Sequence, residues 1–155
     1  DFEVVLWSQS GSGLGLDVDL CDGRVAVVNS VGPGAAQLYN KSAPGSKQIV
    51  PGAHIIEANG QRENAHKISL ELGKLGELAL VVRRPRTFEM SVDRTDGASL
   101  GLDLQYTATS ITLLVMKVED GVVADWNRSC PRKTVRKFDR IVEVNKVKGN
   151  LKEML

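Results

Sequence analysis

The stretch at 11–19, Gly-Ser-Gly-Leu-Gly-Leu-Asp-Val-Asp, returns at 97–105 as Gly-Ala-Ser-Leu-Gly-Leu-Asp-Leu-Gln. Upstream the offset of 86 holds, with Phe2-Glu3 under Phe88-Glu89. A chain that repeats a pattern at a fixed offset carries the local instructions for one unit twice. Its 155 residues hold one such unit and most of a second. Units of roughly 80 residues can each sustain one small core. Hydrophobic and charged contents of 42% and 25% are those of an ordinary globular protein, so disorder is not indicated. A net charge of +1 gives no global field, and an electrostatic partner would have to meet a local patch.

The hydrophobic period supplies the elements. Phe2, Val4 and Leu6 alternate as a half-buried strand, and Phe88, Met90 and Val92 predict the same strand in the second unit. Leu14, Leu16, Val18 and Leu20, matched by Leu100, Leu102 and Leu104, predict second strands entered straight from the glycine loop. Arg24–Asn29 and Ile111–Val118 predict third strands. Gly32-Pro-Gly34 stops the first of these, and a short helix is expected over Ala35–Tyr39. Gly34–Ser42 matches Gly121–Ser129 position by position, aromatic under aromatic and Asn-Lys-Ser under Asn-Arg-Ser. Both tripeptides satisfy the N-glycosylation pattern, read here as coincidence at a helix end. Strands follow at Ala53–Gly60 and Asp139–Lys146, and Ile68, Leu72 and Leu75 predict a longer helix over Glu63–Lys74. Leu78–Val82 closes the first unit, whereas Asn150–Leu155 opens a helix with no closing strand after it. Because the sequence starts inside one pattern and stops inside another, residues are expected to precede and follow it.

Strand, Gly-Leu-Gly-Leu loop, two strands, short helix, the Ile-Ile-Glu-Ala-Asn-Gly strand, longer helix, strand: this order resembles the PDZ domain, twice. The resemblance implies an α+β, mainly β fold of two PDZ-like, partly open β-barrels or sandwiches, each with a short and a longer helix. It places domain 1 at 1–84, a linker at 85–87 and domain 2 at 88–155, the second lacking its last helix turns and closing strand. It also implies that partner peptides, C-terminal or internal, add as a strand between the second strand and the longer helix. Backbone amides of the glycine loop would hold a terminal carboxylate, because glycines let consecutive N–H groups converge on an anion. By match to the family loop, Gly13, Leu14, Gly15 and Leu16 form that cradle in the first unit, and Ser99, Leu100, Gly101 and Leu102 in the second. The basic residue that the family places before the loop is matched by Arg94, whereas the first unit has Ser8 and Gln9 there. His66 is the nearest candidate for the specificity-setting histidine at the helix start.

Other chemistries fit less well. A dinucleotide loop opens a helix whose N-terminus receives phosphate, and this loop opens a strand. No Gly-x-Ser-x-Gly elbow occurs, and Ser12 becomes Ala98 in the repeat, so no enzyme is expected. The two histidines, His54 and His66, lack companions at ligand spacing, so neither metal nor cofactor is expected. His54 is expected to face solvent or to lie beside the short helix, and Tyr39 and Trp126 to pack on their own sheets. Arg128, Arg132, Lys133, Arg136, Lys137 and Arg140 form a basic run that reads either as a docking patch for anionic lipid or an acidic protein, or as a solvated loop. Without aromatic interleaving the solvated loop is the simpler reading, and nucleic acid is not expected. Cys21 and Cys130 do not correspond between copies, which argues for free thiols in an intracellular, reducing compartment, at most peripheral to a membrane complex. Three functions remain: a peptide-binding scaffold, a structural accessory subunit of a larger assembly with vestigial grooves, and the regulatory region of a protease.

Overall fold

A computed structural model describes all residues, Asp1–Leu155, and divides the chain into two units, Asp1–Pro85 and Arg86–Leu155. The architecture is α+β, mainly β, with two antiparallel sheets and four α-helices.

In unit 1, β1 (Phe2–Ser8) buries Val4, Leu6 and Ser8 and exposes the residues between them. It is followed by β2 (Leu16–Asp19), β3 (Ala26–Val31), α1 (Ala35–Ser42), β4 (His54–Ala58), β5 (Gln61–Arg62), α2 (Ala65–Leu72) and β6 (Gly76–Arg83). The sheet runs β1-β6-β4-β3-β2, with β5 pairing β4. β1 therefore has β6 as its partner, in unbroken register from Phe2 opposite Val82 to Ser8 opposite Gly76. Leu6, Val28, Ile49, Ile55, Ile68, Leu78, Leu80 and Val82 fill one core. Burying each such side chain is worth roughly 1.5–3 kcal/mol, which is what holds strands this short together.

The helices of unit 1 are each eight residues long, so the expected contrast of short and longer helix is corrected. α1 runs on to Ser42. α2 starts late because Glu63 takes a positive φ of 54° and Asn64 then caps, its side chain accepting from the Lys67 N–H. It stops at Gly73, which leaves Leu75 outside the helix and 66% exposed. Asn59-Gly60, both at positive φ, make the tight turn between β4 and β5.

Unit 2 contains β7 (Leu102–Gln105), β8 (Leu113–Val118), α3 (Val122–Ser129), β9 (Arg140–Ile141) and α4 (Leu151–Met154), with sheet order β7-β8-β9. Its core is smaller: Val115, Val123 and Val135 are buried, with Met90, Leu100, Leu102, Leu104, Val118 and Ile141 packed around them. The strand expected at Phe88, Met90 and Val92 is not formed, and Phe88 is exposed. In unit 1 the equivalent strand is completed by its pairing with β6, whereas 88–92 pair with no strand in the structure. The strand expected over Asp139–Lys146 shrinks to β9, paired with β8, and one bridge, Val144 to Val147.

Candidate functional site

The glycine loop is built by close contact of backbone on backbone. Residues 13–15 lie against the start of α1, where Ala35 N–H donates to Gly13 O (3.2 Å) and Ala36 N–H to Leu14 O (3.0 Å). A Cβ on Gly15 would stand 2.5 Å from Gly32 O, and one on Gly34 2.6 Å from Gly15 N. Neither position has room for a side chain. The carbonyls of Gly13 and Leu14 are thus spent on the helix N-terminus, whose free amides need acceptors, while the Gly13 N–H donates to Gln9 O (3.2 Å). No hydrogen bond within the molecule engages the N–H of Leu14 or Gly15.

The same contact fixes the direction of the next amide. Gly32 N–H donates to Gly15 O at 2.7 Å, so Leu16 and Val31 face each other as a non-hydrogen-bonded pair. The N–H and C=O of Leu16 then point away from β3. β2 ends the sheet, with β3 its single neighbour, so they point to an unpaired edge. Leu16, Val18 and Leu20 are half-buried and share the core cluster with Ile68 and Leu72 of α2. The N-terminus of α2 is tied to the β2–β3 turn by Ala65 N–H donating to Gly23 O (3.0 Å). The turn itself is set by side chains, Asp19 Oδ1 accepting from Cys21 N and Asp22 Oδ1 from Arg24 N and Val25 N.

Unit 2 repeats the construction. Val122 N–H and Val123 N–H donate to Ser99 O and Leu100 O, and Glu119 N–H donates to Gly101 O (2.8 Å). A Cβ on Gly101 would meet Glu119 O at 2.6 Å. Leu102 therefore stands opposite Val118 with its amide on the free edge of β7. One difference follows from the exchange of Gly13 for Ser99: the Ser99 hydroxyl accepts from Gly101 N–H at 3.1 Å. Arg94 lies beside the same loop and is exposed, its Nε donating to Ala98 O (3.1 Å). In unit 1, Ser8 is buried at the end of β1, and Gln9 contributes its carbonyl to the turn that leads into the loop.

The structure brings Gly13, Leu14, Gly15 and Leu16 together, and Arg94 with Ser99, Leu100, Gly101 and Leu102. It does not bring His66 to the buried side of α2. His66 is exposed, while its neighbour Ala65 and Ile68 face inward. His54 is half-buried in β4, opposite Val27. Tyr39 Oη donates to Lys47 O and Trp126 Nε1 to Lys133 O, so both aromatics brace the loop that follows their helix.

The asparagine of each repeated tripeptide, for which the sequence suggests no role beyond the glycosylation pattern, is a backbone clamp. Asn40 Nδ2 donates to Ile49 O (2.7 Å) and its Oδ1 accepts from Ile49 N. Asn127 does the same to Val135, with Nδ2 to the carbonyl at 2.8 Å. The repeat of Asn after an aromatic at matched positions was the available signal. The Nδ2 that a glycan would occupy is committed in both.

Of the basic run, Arg128 pairs with Asp125 and Arg140 Nη1 donates to Thr112 Oγ1. Arg132, Lys133, Arg136 and Lys137 are exposed, with the Lys137 ammonium 4.9 Å from the Phe138 ring centre. Elsewhere, hydrogen bonds from Lys74 and then Asn59 hold the Glu71 carboxyl below its ordinary value, and one to Glu119 holds the Lys117 ammonium above its own. Cys21 and Cys130 form no disulfide and are half-buried. A shallow cleft of about 360 Å³ lies between 91–93 and α3, and a smaller one of about 130 Å³ among Arg24, Ile56, Arg62 and Arg83; neither includes loop residues. No three His, Cys, Asp or Glu side chains gather as a metal site, and no helix is long and apolar enough to cross a membrane. The chain matches no protein-family model and none of the curated proteins searched.

Proposed function

We propose that the chain is a tandem of two PDZ-like units, a non-enzymatic interaction module that takes partner peptides as an added strand on the free edges of β2 and β7. The observation that carries this reading is the unpaired edge of β2 headed by unengaged amides at Leu14 and Gly15. An open edge offers a row of donors and acceptors to an incoming strand. Unengaged amides at its head suit a terminal carboxylate. The half-buried apolar side chains of Leu16, Val18 and Leu72 beside it suit an apolar ligand residue.

The test is a peptide library presented both with free C-termini and as internal segments to the full chain. The expected result is enrichment of sequences ending in an apolar residue. Leu16→Asp weakens those ligands by at least about tenfold, since an unpaired carboxylate would sit where apolar contact is made. A library that yields no enriched sequence overturns the proposal. One observation favours a second reading, a structural accessory subunit: in unit 2 the Gly101 amide is already taken by Ser99, as in a groove no longer used. That reading expects fixed partners in purification and no library enrichment.

A further inference from the structure

The two loops differ by one side chain at the point where a terminal carboxylate would arrive. In unit 1 the position before Leu14 is Gly13, which has no side chain, and Gly15 N–H is unengaged. In unit 2 it is Ser99, whose Oγ lies 3.1 Å from Gly101 N and accepts its proton. The remaining frame is the same: the loop carbonyls are bonded to the helix start, and the Leu16 and Leu102 amides face the free edge. We infer that Ser99 is a specificity residue that caps the carboxylate cradle of unit 2, so that unit 1 reads free C-termini and unit 2 reads internal segments. The inference rests on the peptide-binding reading above.

The physical ground is competition for one donor. A carboxylate oxygen entering the unit 2 loop must displace the serine hydroxyl from Gly101 N–H. It thereby forfeits a neutral hydrogen bond whose net worth is about two- to tenfold in affinity. It must also clear Oγ from the space beside the amide. An internal segment adds to the edge of β7 through the Leu102 amide and its ladder, brings no terminal carboxylate, and leaves the cap in place. Arg94 does not reverse this preference. Its exposed guanidinium attracts any nearby carboxylate, terminal or side-chain, whereas Ser99 acts on the one that enters the loop; specificity is the difference between the two ligands.

The test uses the full chain with unit 1 silenced by Leu16→Asp. The probes are library-selected peptides, each made as free acid and as C-terminal amide. The expected result is that unit 2 binds acid and amide within about twofold. Ser99→Ala then raises affinity for the acid about three- to tenfold and leaves the amide unchanged. A Ser99→Ala variant that leaves the ratio unchanged, or lowers affinity for the acid, overturns the inference while unit 1 binding still stands. Absence of any selected peptide for either unit overturns the peptide-binding reading, and the inference with it. Amide exchange gives a readout without ligand: Gly101 is slowed by the hydroxyl, and Ser99→Ala speeds it. Unchanged Gly101 exchange also contradicts the cap.

Discussion

At the scale of single residues, the glycine loop is held by contacts a sequence cannot display. The Gly-Leu-Gly-Leu pattern was legible as a turn that feeds a strand. That Gly15 packs against the backbone of Gly32 and Gly34 so closely that a Cβ on Gly15 or Gly34 would stand 2.5 or 2.6 Å from it was not, because those contacts join residues of different elements. Gly15→Ala puts a Cβ into the Gly32 carbonyl at a φ of 72°, and the combined strain should cost about 2–5 kcal/mol, read as a lower urea midpoint. Asn40 illustrates the reverse case. Its tripeptide read as a glycosylation pattern, while its structural work is to pair with both backbone groups of Ile49, which is fully buried. Asn40→Ala leaves that N–H and C=O without partners and should destabilise unit 1 by about 2–4 kcal/mol in denaturant titration.

At the scale of elements, strand alternation was a sound guide where a partner strand exists. Val4 and Leu6 point inward and Val5 and Trp7 outward, as the period of two requires. The same alternation at Phe88, Met90 and Val92 yields no strand, because strand formation is completed by the neighbour's hydrogen bonds and not by the pattern alone. Amide exchange should therefore separate the two copies: amides of β1 that face β6 are protected, and those of 88–92 exchange at least about a hundredfold faster, the difference between ladder and solvent-exposed backbone. Equal protection would contradict the pairing. Helix ends were the least legible feature. Glu63 at positive φ and the Asn64 cap shorten α2, and no periodicity argument carries a backbone angle.

At the scale of the whole molecule, one sequence pattern is written twice, in Asp1–Pro85 and in Arg86–Leu155. The repeat offset made two units legible, and the α+β, mainly β character was what the resemblance of their order of elements implied. The difference between the two loops turns on Ser99, a substitution visible in the sequence whose consequence depends on where its hydroxyl points. The central claim is that an extended peptide adds to the edge of β2 with its terminus on the loop amides. Backbone amide NMR on the full chain, titrated with a library-selected free-acid peptide, tests it most directly. The predicted result is that the Leu14, Gly15 and Leu16 amides shift first and most, and that their solvent exchange slows as the peptide saturates. Shifts confined to the basic run at Arg132–Lys137, or to the outer face of β1 at Val5 and Trp7, with the three loop amides unmoved, would contradict it.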